Sequence, residues 1–259
     1  MPKFLIIPKI NNLDESLKLA EEYSFGFEYN DFFIPDTMDN KQKKKEIISI
    51  YKSVKLSSYN TMHGAFFDII VFSEDKKIRD VADYRIRESI ETALEIGAKG
   101  VVFHTNHTPM LKSDFYLKGW IDKNTEYFSR ICDEYENIDI YLENMFDDTP
   151  FMLKNLSENL SDKNNFGVCL DYAHANVFGV DADDFVKELS AFIKHLHIND
   201  NDLKDDLHLA VGDGKIDWNI FKKHFEEDFK NAKSILIETS DINSQRKSAE
   251  YLRTIGILK

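Results

Sequence analysis

The chain has 259 residues, 42% of them hydrophobic, with 20 Phe and 11 Tyr to fill a large core, and a formal net charge of −13. That acidity opposes nucleic acid and anionic membranes unless a local basic patch overrides it, and no apolar run approaches the roughly 18 residues of a membrane span. The two cysteines, Cys132 and Cys169, lie far apart and point to a reducing compartment without a disulfide framework.

The opening stretch MPKFLIIPKINN has neither the long apolar region nor the small-residue cleavage site of a secretory signal, so a cytoplasmic protein is expected. From there short β-rich runs alternate with longer segments of helical period, the pattern of βα units around a parallel sheet. Strands are predicted at Lys3–Pro8, Gly26–Tyr29, Lys55–His63, Gly100–His104, Ile138–Glu143, Gly167–Asp171, Ile193–Ile198 and Ser234–Glu238. Helices are predicted between and after them at Leu13–Tyr23, Asn40–Ser53, Ile78–Ile96, Asn124–Tyr135, Met152–Leu160, Ala182–Leu189, Asp217–Phe229 and Ile242–Ile255. Asp217 reads as an N-cap and Gly97 as a residue closing a helix. The basic run Lys41, Lys43, Lys44 and Lys45 reads as the solvated face of a helix. No linker or composition break divides the chain, and eight βα pairs in a length of about 250 residues fit one closed β/α barrel over residues 1–259.

Nine side chains with metal-binding atoms follow, nearly all of them, a short apolar run: His63, His104, Glu143, Asp171, His174, His197, Asp206, His208 and Glu238. The C-terminal ends of barrel strands share one face, so these residues are expected to meet in the barrel mouth as a metal site. FGVCLDYAHAN sets Asp171 and His174 three apart, an oxygen and a nitrogen for neighbouring ions, although Asp171 also suits a helix N-cap. In Asp206-x-His208 an extended backbone would aim both side chains the same way and let them chelate one ion. Glu143 and Glu238 end apolar strands, where a buried carboxylate costs several kcal/mol unless a cation or hydrogen bonds compensate it. His195 shares a strand face with His197 and reads as a core histidine. His107 reads as a supporting group or a loop residue, and Gly212 and Gly214 read as turn glycines. No G-x-S-x-G, paired Cys–His or P-loop occurs, which leaves nucleophile and nucleotide chemistry without a motif.

The stretches HGAFFDI, GAKGVVFHTN, LEN, VCLDYAHA, HINDND and DLHLAVGDGKI resemble the xylose-isomerase-like TIM-barrel superfamily of sugar and sugar-phosphate isomerases and epimerases. Between Lys55 and Glu238 their order is similar to that of endonuclease IV, the AP endonuclease family 2 type. That resemblance implies three metal positions: His63 and His104 with Glu143 bridging; Glu143, Asp171, His197 and Glu238; and His174, Asp206 and His208. It implies a divalent metal, zinc in up to three positions or manganese, with Glu143 and Glu238 as the catalytic carboxylates. A hydrolase of phosphate esters uses the whole set; a sugar isomerase or epimerase needs only Glu143, Asp171, His197 and Glu238. A metal-binding module without catalysis is the third reading. The expected substrate is small and phosphorylated or sugar-like, since the charge disfavours DNA and only Phe32 and Phe33 suggest wedges for a duplex.

Overall fold

Eight parallel strands pair in chain order and close, β8 against β1, in the computed structural model, which describes residues 1–54, 56 and 59–259. The elements run β1 (Lys3–Ile6), α1 (Leu13–Tyr23), β2 (Gly26–Tyr29), α2 (Pro35–Asp39), α3 (Lys41–Ser53), β3 (Thr61–His63), α4 (Lys76–Ile96) and β4 (Gly100–His104). They continue with α5 (Asp114–Glu134), β5 (Asp139–Glu143), α6 (Phe151–Asn159), β6 (Phe166–Asp171), α7 (Tyr172–Val177), α8 (Ala182–Leu189), β7 (Ile193–Ile198), α9 (Trp218–Glu227), β8 (Ser234–Ile237) and α10 (Ile242–Thr254). The fold is the (β/α)8 TIM barrel that the alternation implied. No helix among the described residues is long and apolar enough to cross a membrane.

Strand alternation divides the core into two shells. Outward residues such as Phe27, Val101, Phe103, Leu142, Leu170 and Ile235 pack with the helices into one continuous apolar cluster. Inward residues form layers across the barrel, and the middle layer is unusually polar: Glu28, Thr61, His195 and Ser234 are all fully buried there. Tyr141 joins them because Gly100, two residues before its register partner Val102, leaves room for the ring: a Cβ at Gly100 would come within 2.5 Å of it.

The register sets the mouth. His104 is the direct partner of Glu143 and Asp171 of His197, so side chains of four strands stand at one height. Asp217 caps α9 through the Asn219 N–H at 2.9 Å, and Gly97 closes α4 in the left-handed region at φ 81°. Lys41, Lys43 and Lys45 are solvated as expected, while Lys44 pairs with Glu88 at 3.3 Å.

Several expectations need correction. β3 spans Thr61–His63, not Lys55–His63; Lys55, Ser57 and Ser58 lie outside the described residues. Asn60 precedes β3, and its side-chain carbonyl accepts the Phe27 N–H at 2.9 Å. The helix placed at Asn124–Tyr135 begins ten residues earlier, at Asp114, capped by Ser113. Gly119 lowers local helix propensity there, and the burial of Trp120 overrides it. The short helices α2 and α7 were not anticipated; α7 starts directly at the end of β6 because Asp171 caps it. Phe32 is a fully buried core residue and no wedge.

The long β7–α9 loop is organised by one carboxylate. Asp200, fully buried, accepts hydrogen bonds from the N–H groups of Asn201, Gly212 and Ile216 and from the Trp218 indole at 2.8–3.2 Å. Gly212 sits at φ 92°, whereas Gly214 is required by proximity: a Cβ there would lie 2.2 Å from the Asn201 carbonyl oxygen. Asp200→Ala strands these donors, so it is expected to cost about 2–4 kcal/mol and to lower Tm by roughly 5–15 °C. A thermal melt within about 2 °C of the wild type would show that the loop does not depend on this residue.

Candidate metal centre

All nine sequence-selected side chains arrive at the C-terminal end of the barrel, where they fall into three groups whose ligand atoms lie within 4.8 Å of one another. His63, His104 and Glu143 form the first; Glu143, Asp171, His197 and Glu238 the second; His174, Asp206 and His208 the third. These are the sets that the resemblance implied. Glu143 belongs to two of them through different oxygens. Its Oε2 faces His63 Nε2 at 3.5 Å and His104 Nε2 at 3.4 Å, and its Oε1 faces His197 Nδ1 at 3.2 Å.

Local structure aims each donor. Asp171 is the N-cap of α7, Oδ1 accepting the His174 N–H at 2.7 Å, while Oδ2 stays in the cluster, 3.7 Å from His174 Nδ1. Asn144 clasps Asp171 by accepting its N–H and donating to its carbonyl, both at 2.9 Å. Three imidazoles donate Nδ1–H to main-chain carbonyls: His63 to Gly64, His174 to Asn144 and His208 to Glu238, at 2.9–3.1 Å. That bond selects the tautomer with its Nε2 lone pair directed into the mouth.

The Asp206-x-His208 segment differs from the extended geometry expected of it. His208 has φ 47°, a backbone region costly for a non-glycine residue and found where a functional site holds strain. The turn still brings His208 Nε2 to 3.1 Å and His174 Nε2 to 3.3 Å from Asp206 Oδ2. Glu238 lies just beyond β8 and faces His197 Nδ1 at 3.5 Å.

Glu28 is the residue that sequence reasoning missed. Its carboxylate accepts from Thr61 Oγ1 at 2.6 Å and from His195 Nε2 at 2.9 Å, and lies 3.2 Å from His197 Nε2. It thereby fixes the ring of His197 with Nδ1 towards Glu143 and Glu238, a carboxylate–histidine arrangement that orients metal ligands and raises their basicity. His195 is the core histidine expected, with its second nitrogen on Ser234 Oγ at 2.7 Å. The signal was present in GFEY: a glutamate inside a four-residue strand of a sheet buried on both faces. His107, also buried, stacks on Tyr116 and lies 3.6 Å from Asp147, outside the three groups.

The electrostatics fit a divalent cation. Burial drives the Asp171 carboxyl up to about 8, the nearby Glu238 and Glu143 adding to the rise. Burial opposes the charged forms of His208 and Glu143 as well, yet Asp206 and Glu238 raise His208 to about 10, while His197 and His104 hold Glu143 well below the usual carboxylate range. Protons on the imidazoles thus balance the carboxylates, and a bound cation would replace them. Buried oxygens Glu143 Oε2, Asp171 Oδ2, Asp206 Oδ1 and Glu238 Oε2 accept no hydrogen bond, a costly arrangement that cation coordination satisfies. Mixed imidazole and carboxylate donors suit zinc or manganese. The donors open on a cavity of about 260 Å³ whose other walls include Lys9, Asn30, Phe33, Phe66, Met145 and Ser240. Lys9 is the one Lys or Arg among its described lining residues.

Comparisons with known proteins agree with the barrel fold. Residues 18–255 match the family model described as xylose isomerase-like TIM barrel. An uncharacterized protein of Methanocaldococcus jannaschii is 32% identical over 204 residues, 74% of this chain and 68% of that one. A probable endonuclease 4 of Ureaplasma urealyticum is 27% identical over 175 residues, 61% of this chain and 57% of that one. Among solved structures, a D-tagatose 3-epimerase-like protein superposes with a TM-score of 0.76 and 27% identity, covering 97% of this chain and 96% of its own. The relatives therefore include both endonucleases and epimerase-like proteins.

Glu28→Ala is expected to weaken metal affinity by about 10–100-fold, the effect of removing the partner of a ligating histidine. Competition with a chromogenic chelator measures it. Unchanged affinity would show that Glu28 is only a core residue.

Proposed function

Because the chain belongs to the xylose isomerase-like TIM-barrel family, we propose that its mouth binds up to three divalent ions, zinc or alternatively manganese, and hydrolyses a phosphate ester of a small phosphorylated substrate. The observation that carries this reading is the threefold grouping of nine donors around the shared Glu143 carboxylate. Carbonyl chemistry needs only the group of Glu143, Asp171, His197 and Glu238; five further donors are then surplus. Ions bound there lower the pKa of water and offset charge on phosphoryl oxygens.

The chain's own residues supply the rest. Glu143 ties the first two groups together through its two oxygens, and Asp206 meets both imidazoles of the third through Oδ2 alone. Glu238 lines the cavity, where its carboxylate can orient the attacking water. Phe33 and Phe66 wall the entrance and limit water around the reacting groups. A small substrate follows from charge: the overall balance is −13, and the described lining of the cavity offers a single Lys or Arg in place of the basic track a duplex requires.

A sugar or sugar-phosphate epimerase is the second reading, supported by the four-donor group and by the 27% identity to a D-tagatose 3-epimerase-like protein. There Glu143 and Glu238 would exchange protons with the carbon beside a carbonyl.

Elemental analysis of purified protein is expected to find close to three ions per chain. Changing both Asp206 and His208 to Ala is expected to remove one ion and to reduce hydrolysis of bis(p-nitrophenyl) phosphate by at least about 100-fold. One ion per chain, with turnover of ketose sugars and none of phosphate esters, would establish the epimerase instead.

A further inference from the structure

We propose that Lys9, Asn30 and Ser240 form a subsite for a second, non-reacting phosphate, so that the substrate is a phosphorylated carbohydrate carrying an anionic group beyond the one at the metals. This rests on the mouth being a substrate site and adds to it the class of molecule it takes.

The mouth has two chemically distinct sides. The imidazoles His63, His104, His174 and His208 come from β3, β4 and the segments that follow β6 and β7. Opposite them, the adjacent strands β8, β1 and β2 are followed by Ser240, Lys9 and Asn30, all of which line the same cavity. Beyond Glu238 and Thr239 at the end of β8, that side offers an ammonium, a carboxamide and the Ser240 hydroxyl, donors that recognise a phosphate.

Lys9 is half-buried, and among the described residues no carboxylate forms an ion pair with it. The carboxylates that feel its field are Asp31 and Asp241. Both are committed elsewhere: Asp31 accepts from the Tyr51 hydroxyl, and Asp241 accepts from the N–H groups of Asn243 and Ser244 and from Ser244 Oγ. The Asn30 carboxamide lines the same cavity. A cation held over a cavity that also contains Glu143, Asp206 and Glu238 has a clear consequence. Metal ions can accept one anionic group of a ligand, but a second anion displaced from them would face carboxylates unless Lys9 met it.

Space is provided for such a ligand. Ile7, Lys9, Asn30 and Phe33 also wall a second cavity of about 590 Å³, which continues away from the cluster towards Lys43 and Thr37. Lys9 therefore stands at the junction of the two spaces, where a group remote from the reacting atoms would lie.

The test measures binding of D-fructose 1,6-bisphosphate and D-fructose 6-phosphate to the metal-loaded protein by calorimetry, in the wild type and in Lys9→Gln, Lys9→Arg and Asn30→Asp. The second phosphate is expected to tighten wild-type binding by about tenfold or more, the scale of a charge-assisted hydrogen bond. Lys9→Gln should reduce that gain to about twofold or less and Lys9→Arg should keep most of it. Asn30→Asp, which adds a negative charge from another strand, should abolish it independently. A gain absent from the wild type, or surviving both Lys9→Gln and Asn30→Asp, overturns the subsite. Metal content and phosphoesterase activity are read separately: three ions and active hydrolysis without the Lys9-dependent gain reject the subsite alone, whereas the gain without hydrolysis rejects the hydrolase and keeps the subsite.

Discussion

Four imidazoles converge on the buried carboxylate of Glu143, those of His63, His104, His174 and His197 at 3.2–3.7 Å. A single anion in that position, fully desolvated, would be unfavourable by itself. Burial opposes its charge, yet His197 and His104 hold the carboxyl well below the usual carboxylate range. The geometry of the mouth depends on this contact, because Glu143 joins the group of His63 and His104 to that of Asp171, His197 and Glu238. Its position is inherited from the β4–β5 register, in which it stands opposite His104.

Below that layer the barrel does something a purely apolar interior could not. Glu28, Thr61, His195 and Ser234 form a hydrogen-bonded chain with no access to water. Buried polar networks of this kind are stabilising only when their members are satisfied, and they then specify a single arrangement. The outcome here is a fixed ring for His197, whose outward nitrogen belongs to the cluster. Orientation is thus supplied from three directions: main-chain carbonyls for His63, His174 and His208, the helix-capping role for Asp171, and the buried Glu28 for His197.

The same architecture separates charge across the mouth. Donors for cations gather on the side of β3 to β7, while β8, β1 and β2 contribute Glu238 together with an ammonium, a carboxamide and hydroxyls. A closed barrel produces that division without cost to its core, since each strand presents its terminal residue to the same opening and the loops differ freely. Hydrolysis and epimerisation can share such a scaffold because the fold sets where groups stand, and the number and kind of donors set which chemistry they perform.

Much of this was legible in the linear chain. Apolar runs ended by His, Asp or Glu identify barrel strands and their functional ends together, because the period of two and the shared C-terminal face apply to every strand alike. The nine donors could be named for that reason, and so could the closed barrel. Glu28 was visible as a charge inside a buried strand, yet its role could not be read, because its partners His195 and His197 lie more than 160 residues away, at sequence separations such as 167. The boundaries of β3 and α5 likewise depended on tertiary contacts, the Asn60 bond to Phe27 and the burial of Trp120 across Gly119. Only the folded chain decided which oxygen of Asp171 caps a helix and which faces the cluster, how His208 turns back through a left-handed backbone, and that among the described residues no carboxylate forms an ion pair with Lys9. Residue type and spacing determine what chemistry a chain carries, but hydrogen-bond partners and desolvation are set by neighbours distant in sequence, so they follow from the closed barrel alone.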